Sequence, residues 1–543
     1  MVSKGGSSTL TQRERKKLAA ETKQRKLEEA EAQELAEKET QEQKLKPKND
    51  MPRLPQERLL RWLGTVGTKY ITSDKIIQTS VLSLVLNLAH IKYWEEFQDD
   101  KEINLLISVA CGVLALISAL VITQRVQNET AKSNGSNEEV PLPSWNIVYL
   151  VFLPASLALV YDRSLLLFNV ALTTSVLKLP FIAKLVIQLS ILNSNTEHMD
   201  TVYNAKVVAG HLVVNYALGS ISEFKSLDEV EVGLFSILLT NLYMINSDAL
   251  YVVILQKLFI SFGIGLALLF LITKVYKSNT LLRTSLITLS WTGTFVGATL
   301  YQLDPILGNN SLVWIYEYAT ATDSRIKILS IWLLSLLLLI PTIFNYKIQL
   351  SPNFRRKIWH FLVLGLLVYP LHLDSEFVKV SLAGSLILFL LVEQIRYLKL
   401  NPFGSLLDSH LRLFADFRDE KGPIIVSYIY LFIGITLPIL FNNSIVGLVV
   451  LGVGDSLASI IGSNYGTIYW GRSKKTIEGT LTFIVSTYAV CAFLKHIGWF
   501  FVDKTFHSLL LTCTLSGILE GNSDLNDNIL IPGFMAATLE VLE

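Results

Sequence analysis

Charge is what this chain has least of. Only 17% of its 543 residues are Asp, Glu, Lys or Arg, where soluble domains carry about 25%. The net charge of +1 points to no class of partner, and no nucleic-acid partner is expected. Cysteine is almost absent. Cys111, Cys491 and Cys513 all lie in apolar runs, with no metal-ligand spacing, which excludes a disulfide framework and leaves small buried hydrophobes. No alternating ten-residue strand pattern recurs, so a membrane barrel is not expected. No internal repeat and no G-x-x-x-x-G-K-[ST] phosphate loop is present. The first seventy residues are polar and show no cleavable signal peptide, so the first spans are expected to direct insertion themselves.

What is abundant is apolar sequence. Runs of about 20 apolar residues recur, long enough to cross a hydrocarbon core of about 30 Å. The expected fold is an all-α polytopic membrane protein, a helical bundle of about 13–16 spans. Residues 1–70 read as a charged extension, partly helical or disordered, because 11–50 carry alternating charges and almost no large apolar residue. Residues 71–350 form an N-terminal transmembrane bundle, with spans expected at 76–94, 103–123, 146–161, 165–192, 205–221, 230–245, 250–274, 281–301 and 326–344. The run 165–192 holds Lys178, Pro180 and Lys184, so it is either two elements or an interfacial one. Asn128 and Asn134 head glycosylation sequons that matter only if their loop faces the lumen.

Residues 351–543 are more regular, with spans expected near 358–373, 377–395, 424–440, 444–462, 479–500 and 506–520, and an apolar end at 529–543. Counting hairpins returns "NFRRK" (353–357), 396–423, 463–478 and "GNSDLNDN" (521–528) to one face. Lys and Arg in excess mark the cytoplasmic side. A polar site facing the cytosol is therefore expected.

Within "GVGDSLASIIGSNYG" (452–466), Asp455 stands in an apolar span. Such a carboxylate must be paired, hydrated or metal-bound. Gly454, Ala458 and Gly462 recur at four-residue intervals, a small-residue face that serves either helix packing or room for a ligand. Gly462, Ser463, Gly466 and Gly471 allow backbone amides to approach a phosphate, and Arg472, Lys474 and Lys475 supply cations. Thr476, Glu478 and Thr480 add oxygens at the next span entrance, a combination suited to Mg²⁺ with a polyphosphate. Glu520 and Asp524 share a helix face, followed by Asp527 and Asn528. His360 reads as structural or interfacial rather than catalytic, and Glu393 with Arg396 as a helix-end ion pair, with a place facing the same site as the alternative.

These segments resemble the CTP-dependent polyprenol and lipid kinases, whose signature is G-D-x-x-A-x-x-x-G, then K-T-x-E-G-T, then D-N-x-x-x-P. The three parts stand at Gly454 to Gly462, Lys475 to Thr480 (with Gly479), and Asp527 to Pro532. "RRKIWH" and "DFRDEKGPIIVSYIYLFIG" resemble the longer eukaryotic members, and the overall length and hydropathy resemble the fungal dolichol-phosphorylating ones. The resemblance implies transfer of the γ-phosphate of CTP to dolichol at the endoplasmic reticulum membrane. It implies Lys474 and Lys475 on the polyphosphate, Asp455 and Glu478 on Mg²⁺, and one acid among Asp455, Glu520 and Asp527 as proton acceptor. Phytol or diacylglycerol kinases remain alternatives. Phosphatidate cytidylyltransferases share K-[KR]-T-x-E-G, but their H-G-G-x-x-D-R-x-D is absent. A transporter would also bury Asp455, though it would collect polar groups at the midplane of two related halves.

Overall fold

A computed structural model describes residues 67–93 and 143–543, apart from 163, 196–200, 223–226, 246, 276–280, 347–351, 401–402, 472, 543 and most of 413–421. Of 1–66 and 94–142 only scattered positions are described. The charged extension, most of the expected span 103–123, the sequons, Cys111 and Arg472 therefore lie outside the described residues. Residues 69–543 form one compact unit.

The described residues are helical, with no strand among them. The helices are α1 (Ser73–Lys92), α2 (Ile147–Tyr161), α3 (Leu165–Leu172), α4 (Phe181–Asn195), α5 (Thr201–Ser222), α6 (Glu229–Met244), α7 (Leu250–Val275), α8 (Leu281–Leu307), α9 (Ser311–Thr320) and α10 (Asp323–Tyr346). They continue with α11 (Pro352–Leu373), α12 (Ser375–Tyr397), α13 (Gly404–Leu411), α14 (Ser427–Asn442), α15 (Val446–Tyr465), α16 (Ile477–His496), α17 (Phe506–Asn522) and α18 (Asp527–Val541). The expected run 165–192 divides into α3 and α4. After α3 a 3₁₀ turn covers Thr173–Val176, Leu177 is extended with ψ 134°, and Pro180, which lacks an N–H, stands just before α4.

Among the described residues, four helices are long and apolar enough to cross a membrane: Leu250–Ile272, Ser375–Tyr397, Val446–Tyr465 and Ile477–His496. Shorter apolar helices include α2, α4 and α14. The chain is an all-α multi-pass membrane protein. Exposed Leu333, Leu334, Leu337 and Leu338 on α10 fit a lipid-facing surface.

Burial follows composition. Helix α2 is apolar on every face, which suits either a protein core or lipid, and here residues 147–159 are all buried within the protein. It packs on α18, which packs in turn on α14 and α17. Glycine allows two close crossings. A Cβ on Gly434 of α14 would lie 2.0 Å from the Asn528 carbonyl oxygen of α18, and one on Gly447 would lie 2.2 Å from the Gly434 carbonyl oxygen. Helices from both sides of residue 350 contribute to one apolar core.

Candidate active site

Asp455 ends a π-helical stretch, Val450–Asp455, inside α15. A π turn carries one extra residue and leaves a carbonyl less well used by its own helix. Here the Leu451 carbonyl accepts from the Ser456 hydroxyl at 2.9 Å and from His360 Nδ1 at 2.9 Å. The widened turn aims Asp455 at α11. Lys357 Nζ donates to Asp455 Oδ2 at 2.5 Å, and His360 Nδ1 lies 3.5 Å from the same oxygen. The intramembrane carboxylate is thus paired. Gly454 and Gly462 serve packing: a Cβ at Gly454 would be 2.3 Å from Thr487 Oγ1, and one at Gly462 3.0 Å from Thr476 Oγ1.

The lysine-rich loop is a short hairpin. Tyr469 and Thr476 form an antiparallel bridge, Trp470 N–H donates to the Lys475 carbonyl at 3.0 Å, and Ile477 N–H to Ile468 at 2.8 Å. Gly471 takes the positive φ of +35° at its tip. Thr476 caps α16, its hydroxyl accepting from Gly479 N–H at 3.2 Å. The Trp470 indole donates to Thr480 Oγ1 at 2.8 Å. Glu478 braces the hairpin's base: its carboxylate accepts from Thr467 N–H at 2.9 Å, the Thr467 hydroxyl at 2.5 Å and Ile468 N–H at 3.1 Å.

The turn after α17 meets this hairpin. Lys475 Nζ lies 2.9 Å from Glu520 Oε1 and 2.8 Å from Asp527 Oδ1, and donates to the Glu520 carbonyl at 2.8 Å. Burial would pull the Lys475 pKa down, but Asp527 and Glu520 outweigh it and hold the ammonium above the usual lysine range.

Asp455, Lys475, Glu520 and Asp527 open into one cavity of about 1170 Å³. Its wall includes Asp455, Ala458, Gly462, Ser463, Lys474, Lys475, Thr476, Gly479, Thr480, Glu520 and Asp527. Gly454, Gly466, Gly471 and Glu478 are not on the wall. Glu478 is turned away because the hairpin's amides already use its oxygens. The cavity continues into lipid-like surroundings. Along α11 the wall passes from Arg356, Lys357 and His360 to Val363, Leu366 and Leu367, so Lys357 and Leu367 are about 15 Å apart at the helical rise per residue. Along α14 it passes from Ser427 and Tyr428 to Leu431, Phe432 and Ile435. Trp332, Leu336, Leu388 and Phe389 line the apolar part as well.

Mg²⁺ takes hard oxygens, typically one or two carboxylates plus substrate phosphates. The wall offers such donors in Asp455, Asp524, Asp527, Asn526 and Asn528. Among the described residues no three His, Cys, Asp or Glu converge as a ready metal cage. A cation held by these oxygens would need substrate oxygens to complete its coordination.

A family model described as the dolichol kinase N-terminal domain matches residues 28–246. The dolichol kinase of Saccharomyces cerevisiae is 39% identical over 404 residues, covering 73% of this chain and 76% of that relative. This chain belongs to the dolichol kinase family. A dolichol kinase of Schizosaccharomyces pombe is 38% identical over 203 residues, 35% of this chain and 40% of the relative. The human dolichol kinase is 30% identical over 270 residues, 45% of this chain and 50% of the relative. No solved structure matches.

In this dolichol kinase family member, sequence reading missed Lys357, Arg356 and Tyr428 on the cavity wall. It expected Asp524 on the helix face of Glu520, but α17 ends at Asn522 and Asp524 lies in the turn that follows. "NFRRK" stood out as a basic flank, and "RRKIWH" as a family likeness without a role for Lys357. Nothing local marks Lys357 as the partner of a residue 98 positions away. Glu393 and Arg396 do form the expected ion pair, at 2.6 Å, and Glu393 also accepts from Tyr428 Oη at 2.8 Å.

Proposed function

We propose that this chain transfers the γ-phosphate of CTP to the hydroxyl of dolichol, giving dolichyl phosphate and CDP. The observation that carries this reading is the single cavity with two characters: lysines and carboxylates at one end, leucine, phenylalanine and tryptophan side chains at the other. A polyprenol has the same division. Its hydroxyl suits the polar end while its chain lies along the apolar wall. The reading sets the reaction at the endoplasmic reticulum membrane with the polar end toward the cytosol. The basic segments 353–357 and 463–478 at that end support the orientation.

Phosphoryl transfer needs positioning and charge neutralisation more than covalent help. Lys475 and Lys474 would hold the triphosphate, with Arg356 as a further cation on the wall. The dolichol oxygen attacks the γ-phosphorus, the bond to the β,γ-bridging oxygen breaks, and CDP leaves. When the triphosphate draws Lys475 away, Glu520 and Asp527 face each other without their shared cation. Their repulsion then makes one of them the acceptor of the hydroxyl proton. Asp455, paired with Lys357, would hold Mg²⁺ with an oxygen from the acidic turn. Mg²⁺, when bound, supplies neutralisation of the phosphate oxygens. Glu478 acts on this scheme only by bracing the hairpin.

The test is a purified assay with dolichol and labelled CTP. Label from the γ position on the lipid is expected. Transfer of CMP with release of pyrophosphate, or equal use of ATP, would overturn the reading.

A further inference from the structure

Helix α1 contributes no residue to the cavity wall, yet it grips the turn that carries the site's acids. Gln78, fully buried, donates its side-chain amide to the carbonyl of Asn522, the last residue of α17. Its Oε1 accepts from the Tyr149 hydroxyl of α2 at 2.8 Å, and Tyr149 is itself fully buried. Beside them, Lys75 Nζ lies 3.2 Å from Asp524 Oδ2 and 3.3 Å from Asp74 Oδ2. The far end of α1 is also held, Lys92 lying 3.8 Å from Glu540 of α18.

A carboxamide in a helix contact is costly to bury unless both its ends are bonded. An apolar side chain would fill the same space without that requirement. What the amide adds is direction. With one end on Tyr149 and the other on Asn522, it fixes the orientation of one peptide plane. That plane lies between Glu520 and Asp527, the two carboxylates on Lys475.

We infer that Gln78 and Tyr149 are positioning residues that set the acidic turn, and through it the grip of Glu520 and Asp527 on Lys475. Both fall in the stretch matched by the N-terminal family model, so this assigns that region a part in the reaction. The inference rests on the proposed transfer, and the experiment separates the two.

The full chain is purified as wild type, Gln78→Met, Tyr149→Phe and the double variant. Turnover is read per folded molecule with CTP and dolichol each varied. A displaced turn should lower kcat about 10–100-fold in Gln78→Met with the KM for dolichol unchanged. Tyr149→Phe should lose about 3–10-fold, and the double variant no more than Gln78→Met alone, because both act through one relay. Hydrogen exchange of the 521–527 amides is read on the same proteins and should quicken in both single variants. Unchanged kcat per folded molecule, additive losses, or unchanged exchange would each overturn the inference. If Gln78→Met does not fold, Tyr149→Phe, which removes one oxygen, decides by the same readouts. A wild-type chain that phosphorylates no dolichol refutes the reaction instead, and the exchange measurement still decides the latch.

Discussion

Lys357 and Asp455 stand 98 residues apart in the chain and 2.5 Å apart in space, both buried. The pair explains how a carboxylate survives inside an apolar span. It also ties α11 to the π turn of α15, so the cation is as much a part of the site as the acid.

Removing one partner of such a buried pair costs about 3–5 kcal/mol, because the other charge is left uncompensated. Lys357→Met should therefore lower the thermal midpoint sharply and abolish CTP-dependent transfer. Combining it with Asp455→Leu should restore most of the midpoint and none of the activity. A single variant that melts with the wild type would show that the pair does not carry the charge.

The two adjacent lysines should differ. Lys475 is held by Glu520 and Asp527, whereas Lys474 is exposed on the cavity wall. Lys475→Ala is expected to cost about 100-fold or more in kcat/KM. Lys474→Ala should mainly raise the KM for CTP, by about 10-fold, and more so at low salt. Equal effects would argue against the geometry of the hairpin.

Glu478 tests a sequence expectation against the structure. Its oxygens serve Thr467 and Ile468. Glu478→Gln should raise the KM for CTP about 3–10-fold by loosening the hairpin. The Mg²⁺ concentration for half-maximal rate should stay unchanged. A large shift in that concentration would return Glu478 to the metal.

Gly434→Ala should be destabilising by about 1–3 kcal/mol or more, since overpacking would force α14 away from α18. The displaced Asn528 lies on the cavity wall, so activity should fall with it. Gly210→Ala is the control: a Cβ there meets nothing within 4 Å, and both stability and activity should hold.

Chelation should separate chemistry from folding. No described group of acids or histidines forms a metal cage. Stripping divalent cations with EDTA should stop turnover and leave the melting midpoint in detergent where it was. A fall in the midpoint would reveal a structural metal.

Spans were legible from runs of apolar residues. The runs expected at 250–274 and 377–395 are found as Leu250–Val275 and Ser375–Tyr397. The local Glu393–Arg396 pair was legible for the same reason: i,i+3 spacing on a helix brings side chains together whatever else the chain does. The direction of Glu478 was not legible. The hairpin bridge of Tyr469 with Thr476 turns it toward the loop amides, and that bridge leaves no periodic trace.

By itself the sequence determined the medium, the helices and the set of reactive groups. Hydrocarbon admits almost only helices with their own hydrogen bonds satisfied, and each intramembrane charge needs a partner somewhere. Which partner was decided by the tertiary structure alone. Lys357 for Asp455, and Gln78 for the Asn522 carbonyl, follow from how α1, α11, α15 and α17 cross, and crossings depend on packing between residues far apart in the chain.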